Sequence, residues 1–288
     1  KGASKGEGLG NQFLANIREV DAICHVIRCF DDSDITHVNN KIDPINDIEV
    51  IETELMLSDL ETLNKRKNSI EKKVRAGDKE AKLIFEIILK VIDQLEDGKP
   101  AREINFSKDD FFIVKKLNLL TFKPVLFVAN VDEESSVDGN DYSHELTKLG
   151  ASKGIKTITM SAKLESEISE ISNIEERNEF LIALNLVESG LEKLAKAGYD
   201  LLDLVTYFTA GPKEVRAWTI KKGTIAKDAA GKIHDDFSRG FIAAETISFN
   251  DYIKLGGEQK ARENGYIRTE GKEYIVIDGD IIVFRFNV

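Results

Sequence analysis

Two short polar signals offer this sequence's clearest chemistry. Asn130-Val131-Asp132-Glu133 follows the apolar run 124–129, and Ser161-Ala162-Lys163 follows a second β-rich run at 156–160. In an open parallel sheet, ligands bind beyond the carboxyl ends of the strands, which is where both signals fall. A carboxamide at 130 can tie one loop to its neighbour, and a carboxylate three residues later can accept hydrogen bonds from the edge of a purine. The pattern N-x-x-[DE] alone describes many capped turns. Its pairing with a strand followed by Ser-Ala-Lys makes Asn130, Val131, Glu133, Ser161 and Ala162 candidates for a base pocket. An aspartate at position 133 would accept two hydrogen bonds from guanine's ring N–H and exocyclic amine. Glutamate is one methylene longer and does not hold that geometry. Adenine presents an amine donor beside ring acceptors, so weakened guanine selection and acceptance of adenine are expected.

The elements that must position these loops alternate in texture. The runs 22–30, 124–129 and 156–160 read as buried strands, with helical periodicity between and after them, which indicates a parallel α/β sheet. Between the first two strands, apolar residues from Ile48 to Val74 recur mostly at spacings of three, four or seven. Ala76-Gly77-Asp78 breaks the pattern, and a second helix carries Ile84, Ile88, Val91 and Leu95. This is an antiparallel helical hairpin inserted into an α/β domain. From Leu201 onward, short β-rich runs at 214–220, 241–247 and 273–288 form a separate α+β module with 13 basic and 13 acidic residues. The expected organisation is therefore 1–46 and 105–200 as two parts of one domain, 47–104 as the hairpin, and 201–288 as the module.

Composition excludes several classes. The net charge of −11 argues against a general polyanion binder, while 42% hydrophobic residues support a real core. Cys24 and Cys29 form no C-x-x-C pair, and both are expected to be small buried side chains in a reducing compartment. No stretch is long or apolar enough to span a bilayer, and no export leader is seen, so a cytoplasmic setting is expected. In the module, Lys213, Arg216, Trp218, Lys221 and Lys222 mix cations with one aromatic. They fit contacts to RNA backbone and a stacked base, and equally an ordinary β surface with a packed tryptophan.

The segment Gly2-Ala3-Ser4-Lys5-Gly6-Glu7-Gly8-Leu9-Gly10-Asn11-Gln12-Phe13-Leu14 resembles the stretch just after the D-x-x-G switch of Obg-related P-loop proteins. Taken with Asn130 to Glu133, the helical insertion, Thr206-Tyr207-Phe208-Thr209-Ala210-Gly211, Asp278-Gly279-Asp280 and the closing Phe284-Arg285-Phe286-Asn287-Val288, the chain resembles the YchF/Obg-like ATPase family along its whole length. The resemblance implies a P-loop G domain with a coiled-coil insertion and a C-terminal TGS domain of β-grasp type. It also implies ATP preferred over GTP, slow hydrolysis, and association with the ribosome's large subunit or rRNA through the TGS domain and the hairpin.

One departure stands out. No G-x-x-x-x-G-K-[ST] loop occurs in the sequence. The phosphate cradle, the Mg²⁺ ligands and the first strands are expected upstream of Lys1, so this chain alone is expected not to hydrolyse nucleotide. Gly2, Gly6, Gly8 and Gly10 read as a permissive switch loop. Lys5 within it fits a phosphate contact or a solvated loop lysine. The family has a hydrophobic residue where GTPases place a water-orienting Gln. His37, in the polar loop after the first strand, is the candidate for that role and fits a solvated loop histidine as well. A guanine-specific Obg-type GTPase and a nucleotide-independent RNA or ribosome interaction protein are the rival readings.

Overall fold

The computed structural model describes residues 8–32, 42–211 and 214–287. The chain divides into two compact units, residues 1–198 and 199–288.

In the first unit, α1 (Gly8–Glu19) leads to β1 (Ile23–Arg28). Two long helices, α2 (Pro44–Arg75) and α3 (Lys79–Glu96), are joined by residues 76–78 and pack together. A 3-10 turn (Ala101–Glu103) and α4 (Lys108–Leu117) lead to β2 (Val125–Asn130), α5 (Asp141–Lys153) and β3 (Thr157–Met160). Then come α6 (Ala162–Glu170), α7 (Ile174–Ala183) and α8 (Gly190–Leu201). The three strands are parallel in the order β1-β2-β3, with Arg28 beside Asn130 and Asn130 beside Met160. An α/β fold is therefore present, and its central strand β2 is buried from Val125 to Ala129.

The strand β1 differs from its sequence reading. It is shorter than 22–30, and only Ile27 and the following Cys29 are buried, whereas Val26 is 59% exposed and Cys24 is exposed. An apolar run does not distinguish a strand covered on both faces from one at the end of the sheet with one open face. Cys29 does lie in the core, where burial pushes its thiol up to about 12. The loop reading also fails at Gly8 and Gly10, which belong to the first turn of α1. The helical cost of glycine, about 1 kcal/mol each, is overcome here by an amphipathic register that buries Leu14 against Leu55 and Leu120. Gly2, Lys5 and Gly6 lie outside the described residues.

Helix α2 starts at Pro44, where Asp43 accepts a hydrogen bond from the Asn46 N–H at 3.1 Å. Its 32 residues reach about 48 Å at 1.5 Å per residue. The turn places Gly77 at φ +86°, and Asp78 caps α3 through the Glu80 and Ala81 N–H groups. Leu63 of α2 packs with Ile88, Val91 and Leu95 of α3, and with Val114 and Leu119 below them.

The root of the hairpin is held by a buried carboxylate. Asp59 of α2 is fully buried and accepts hydrogen bonds from the Leu120 N–H (2.9 Å), the Thr121 N–H (2.8 Å) and the Thr121 hydroxyl (2.7 Å). Arg18 of α1 stands 3.5 Å away. Burial pushes the Asp59 carboxyl above the usual range, while these partners act against that shift. A second brace joins Glu52 of α2 to Arg102 and, at 3.3 Å, to Lys153 of α5.

In the second unit, β4 (Leu204–Ala210) and β5 (Val215–Lys221) form a hairpin, followed by α9 (Ala226–Ile233) and α10 (Asp235–Arg239). Next are β6 (Phe241–Ser248), α11 (Phe249–Leu255), α12 (Glu258–Glu263), β7 (Arg268–Glu270) and β8 (Asp280–Phe286). The sheet order is β5-β4-β8-β6-β7, with β4 and β8 parallel at its centre and the other neighbours antiparallel. Four short helices thus sit between strands that composition had rendered as β-rich, and the run 273–288 is strand only from Asp280. Tyr207, Ala229, Ala244, Ile282 and Phe284 fill one side of the sheet, with the Tyr207 hydroxyl donating to the Ala229 carbonyl at 2.8 Å. Asp278-Gly279-Asp280 starts β8. Asp278 accepts from the Thr206 N–H at 2.7 Å, Gly279 takes φ +81° and donates to the Thr206 carbonyl, and Asp280 accepts from Tyr274 and the Ile277 N–H. No helix among the described residues is long and apolar enough to cross a membrane.

Two predictions follow from these anchors. Replacing Asp59 with Ala strands two backbone donors and lowers stability by about 3 kcal/mol, with Asn in between. A urea titration read by far-ultraviolet circular dichroism checks it, and an unchanged midpoint would make the contact incidental. In the second unit, Arg285 (2.9 Å) and Arg262 (2.6 Å) hold the Glu245 carboxyl down from 4.5 to about 2. The folded state therefore binds the proton more weakly than the unfolded chain. Its stabilisation is present above pH 4.5 and is lost as pH falls towards 2. After solvent screening it is about 1–2 kcal/mol. Glu245→Gln loses this at neutral pH, and the gap to the parent closes through that window, as read by the fluorescence of Trp218, the single tryptophan.

Candidate functional site

The register β1-β2-β3 brings the carboxyl ends of β2 and β3 side by side, and Asn130 joins them. Its side-chain oxygen accepts from the Ala162 N–H at 2.9 Å, across the gap between the strands. Its carbonyl accepts from the Cys29 N–H at 2.8 Å, which ties in the end of β1. The Val131 N–H continues the ladder to the Met160 carbonyl at 3.0 Å. Ser161 is buried and caps α6, its hydroxyl accepting from the Leu164 N–H at 3.4 Å. Asn130, Ser161 and Ala162 thus meet at one point, as their types and positions suggested.

Val131 does not line a surface there. Its side chain is 2% exposed and packs with Cys29, Ala129 and Leu146. The pleat of β2 carries one residue past the strand and turns this β-branched side chain into the core, leaving only its backbone for a ligand. Glu133 remains at the surface and forms an ion pair with Lys163, the third residue of the Ser-Ala-Lys signal. That pairing holds the Glu133 carboxyl below its usual range and raises the Lys163 ammonium. Asp132, between Val131 and Glu133, closes the turn by accepting from the Ser135 N–H at 2.8 Å.

Three further residues hold the site and had not been singled out. The Asn140 amide donates to the Cys29 carbonyl at 2.7 Å while its oxygen caps α5, so one side chain anchors a helix to the end of β1. The readable signal was Asn followed three residues later by Ser, a helix-start pattern. Glu165 of α6 is buried and accepts from the Gly190 (2.6 Å) and Leu191 (3.0 Å) N–H groups at the start of α8. Gly190 has no room for a side chain, since a Cβ would stand 2.6 Å from that of Met160. Arg28 folds back from β1 onto the Phe30 and Asp32 carbonyls, both at 3.1 Å. Nothing local in the sequence marks Glu165 or Arg28 for these roles.

The histidines sort by surroundings. His25 is half-buried against the Phe127 ring, and burial lowers its pKa. His144 contacts the Asp138 carbonyl, and His234 accepts from the Asp236 N–H. His37 lies outside the described residues, as does Lys213. Among the described residues no group of three or more His, Cys, Asp or Glu could hold a metal ion. In the second unit, Trp218 lies under the Arg216 guanidinium at 4.1 Å and packs against Tyr207, with its N–H on the Thr209 hydroxyl. Its ring is engaged within the unit. Chemically, the β2–β3 end presents an amide bridge between two loops and a charged pair at its rim.

Comparison with known proteins finds relatives along the whole chain. A family model named YchF-GTPase_C, described as a protein of unknown function (DUF933), matches residues 204–287. The ribosome-binding ATPase YchF of Bacillus subtilis is 52% identical over all of this chain and 79% of its own length. The protein of the same name from Escherichia coli O157:H7 is 49% identical over the same shares. The structure of the Schizosaccharomyces pombe YchF GTPase superposes with a TM-score of 0.84 at 37% identity, over 97% of this chain and 76% of that one. A GTP-binding protein from Pyrococcus horikoshii OT3 shares the fold at a TM-score of 0.61 and 20% identity, over 96% of this chain and 81% of that one. With half its residues shared along its entire length with such relatives, and with their fold, the chain belongs to the YchF family.

Proposed function

We propose that this chain supplies the base-reading and partner-binding parts of a ribosome-associated nucleotide switch that prefers ATP to GTP and hydrolyses it slowly. Relatives named ribosome-binding ATPases support nucleotide binding and a ribosomal partner, and that partner sets the work in the cytoplasm. The observation that carries the base preference is the Glu133–Lys163 pair at the rim of the Asn130–Ala162 bridge. A free carboxylate offers two acceptors, which suits guanine's two adjacent donors. A carboxylate beside an ammonium offers one acceptor and one donor, which suits adenine's amine and ring nitrogen. Mg²⁺ arrives with the nucleotide and neutralises phosphate charge. The hairpin and the TGS-like second unit carry the contacts to large-subunit rRNA.

The related structure described as a GTPase keeps a guanine-specific reading in view, and the Glu133–Lys163 pair counts against it. Calorimetric titration of ATP and GTP with Mg²⁺, into the 288-residue chain and into a version extended to its relatives' full length, separates the readings. The extended protein is expected to bind ATP more tightly. Asn130→Ala releases the Ala162 loop and weakens both nucleotides about tenfold. Lys163→Ala frees Glu133 and shifts the ATP-to-GTP affinity ratio towards GTP by about three- to tenfold. Equal affinities in the parent would remove the base preference, and no binding to either version would leave an interaction protein. His37 is assigned the water-orienting role, so His37→Ala in the extended protein lowers kcat about 10²-fold with little change in KM. An unchanged kcat would return it to a solvated histidine.

A further inference from the structure

The sheet of the second unit ends in two unlike edges. β7 is three residues long, whereas β5 runs for seven, with no proline and no break in its register with β4. A long, regular edge strand presents an unpaired row of backbone donors and acceptors, and proteins ordinarily shorten, bend or cover such an edge.

The ladder fixes which groups of β5 are free. The Gly211 N–H donates to the Glu214 carbonyl at 3.0 Å, and the Lys222 N–H to the Asp203 carbonyl at 2.7 Å. Between these bonded pairs, antiparallel pairing alternates. Arg216, Trp218 and Ile220 therefore direct their N–H and carbonyl groups to Thr209, Tyr207 and Val205. Val215, Ala217 and Thr219 direct theirs away from β4. All three are exposed, and their backbone groups have no partner among the described residues. The free edge stops at Lys221, whose carbonyl accepts from the Thr224 N–H and hydroxyl.

The charges that bracket the strand select what fits it. Glu214 precedes β5 and Lys222 follows it, and both are exposed. Among the described residues, Glu214 reaches only Arg216, at 4.0 Å, and Lys222 has no anionic partner. Such an edge is complementary to itself. Laid antiparallel on a second copy about Trp218, it sets Glu214 against Lys222 twice, Val215 against Lys221, and Ala217 against Thr219. The free groups of Ala217 and Thr219 then bond each other in both directions, and no like charges meet. Shifting one copy by two residues sets Arg216 against Lys222 in one direction and Glu214 against Ile220 in the other.

We propose that β5 pairs with β5 of a second copy of this chain, in the register centred on Trp218, to form a two-fold dimer. An extended segment of another protein would find the same free backbone groups without this charge match. The dimer is independent of the nucleotide and of the ribosomal partner. One strand pair is smaller than a standard interface, so association is weak, at about 10–100 µM.

The test is sedimentation velocity from about 1 to 200 µM, on the 288-residue chain and on the version extended to its relatives' full length. Both should pass from monomer to dimer, and the emission of Trp218, the single tryptophan, should change over the same range. Ala217→Pro removes an N–H that β4 does not use, and should leave a monomer that circular dichroism shows to be folded. Lys222→Glu should weaken the dimer about tenfold by setting two carboxylates against each other. Glu214→Lys/Lys222→Glu should return it to within about threefold of the parent. The charge exchange decides the matter by itself where the proline variant does not fold. The proposal is overturned if the parent stays monomeric to about 200 µM, if folded Ala217→Pro still dimerises, or if the double exchange is as weak as Lys222→Glu alone.

Discussion

Everything in the first unit is built outward from the buried carboxylate of Asp59. A charge placed in the core is tolerated only when its oxygens are fully engaged. Here the N–H groups of Leu120 and Thr121 and the Thr121 hydroxyl engage them. Those donors sit on the segment that enters β2, so the contact sets where the central strand begins. Four residues after Thr121 the strand starts, and at its far end stands Asn130. The root of a 32-residue helix and the bridge between two loops are thus opposite ends of one short, buried strand. Such a strand can change position only as a unit. Arg102 of the 3-10 turn reinforces this, since it holds Glu52 of α2 while its N–H bonds the Thr121 carbonyl at 3.0 Å.

At the other end of β2, most polar side chains hold neighbouring backbone, and one charged pair is left at the surface. Asn130, Asn140, Ser161 and Glu165 spend their polar atoms on backbone groups of neighbouring elements. They tie the loops at the β2–β3 end to one another and to the helices that follow. Only the Glu133–Lys163 pair keeps its charge at the surface. Its worth as a stabilising contact is small, as for exposed ion pairs generally. What it presents at the surface is a donor and an acceptor together, which a lone carboxylate does not.

What the sequence made legible follows the range of the signals. The strands β2 and β3, the two long helices and the turn at Gly77 announce themselves locally, through apolar runs, periodicity and a left-handed glycine. The meeting of Asn130 with Ala162 was readable because both loops follow strands of a parallel sheet. The burial of Val131 and the exposure of Cys24 and Val26 were not, because each depends on which neighbour covers a strand face. The roles of Arg28 and Glu165 were invisible for a related reason. Their partners are carbonyls and N–H groups of other segments, and backbone groups carry no residue identity. In the second unit an α+β character was expected, but the four short helices were not located, because composition averages over turns of five to eight residues, whereas α9 is set by Ala226, Ala229 and Ala230 packing against the sheet.

Charge is distributed in this chain with the same economy of position. A protein with net charge −11 is repelled by nucleic acid at long range. That repulsion falls off within about 10 Å at 0.1 M salt. The far end of α2 at Arg75 lies about 24 Å along the helix from Asp59, roughly two such lengths, so its cations are largely screened from charges at the root. The arm is held together by the packing of Leu63, Ile88 and Val91 and anchored through Asp59, so its orientation is ultimately set in the core.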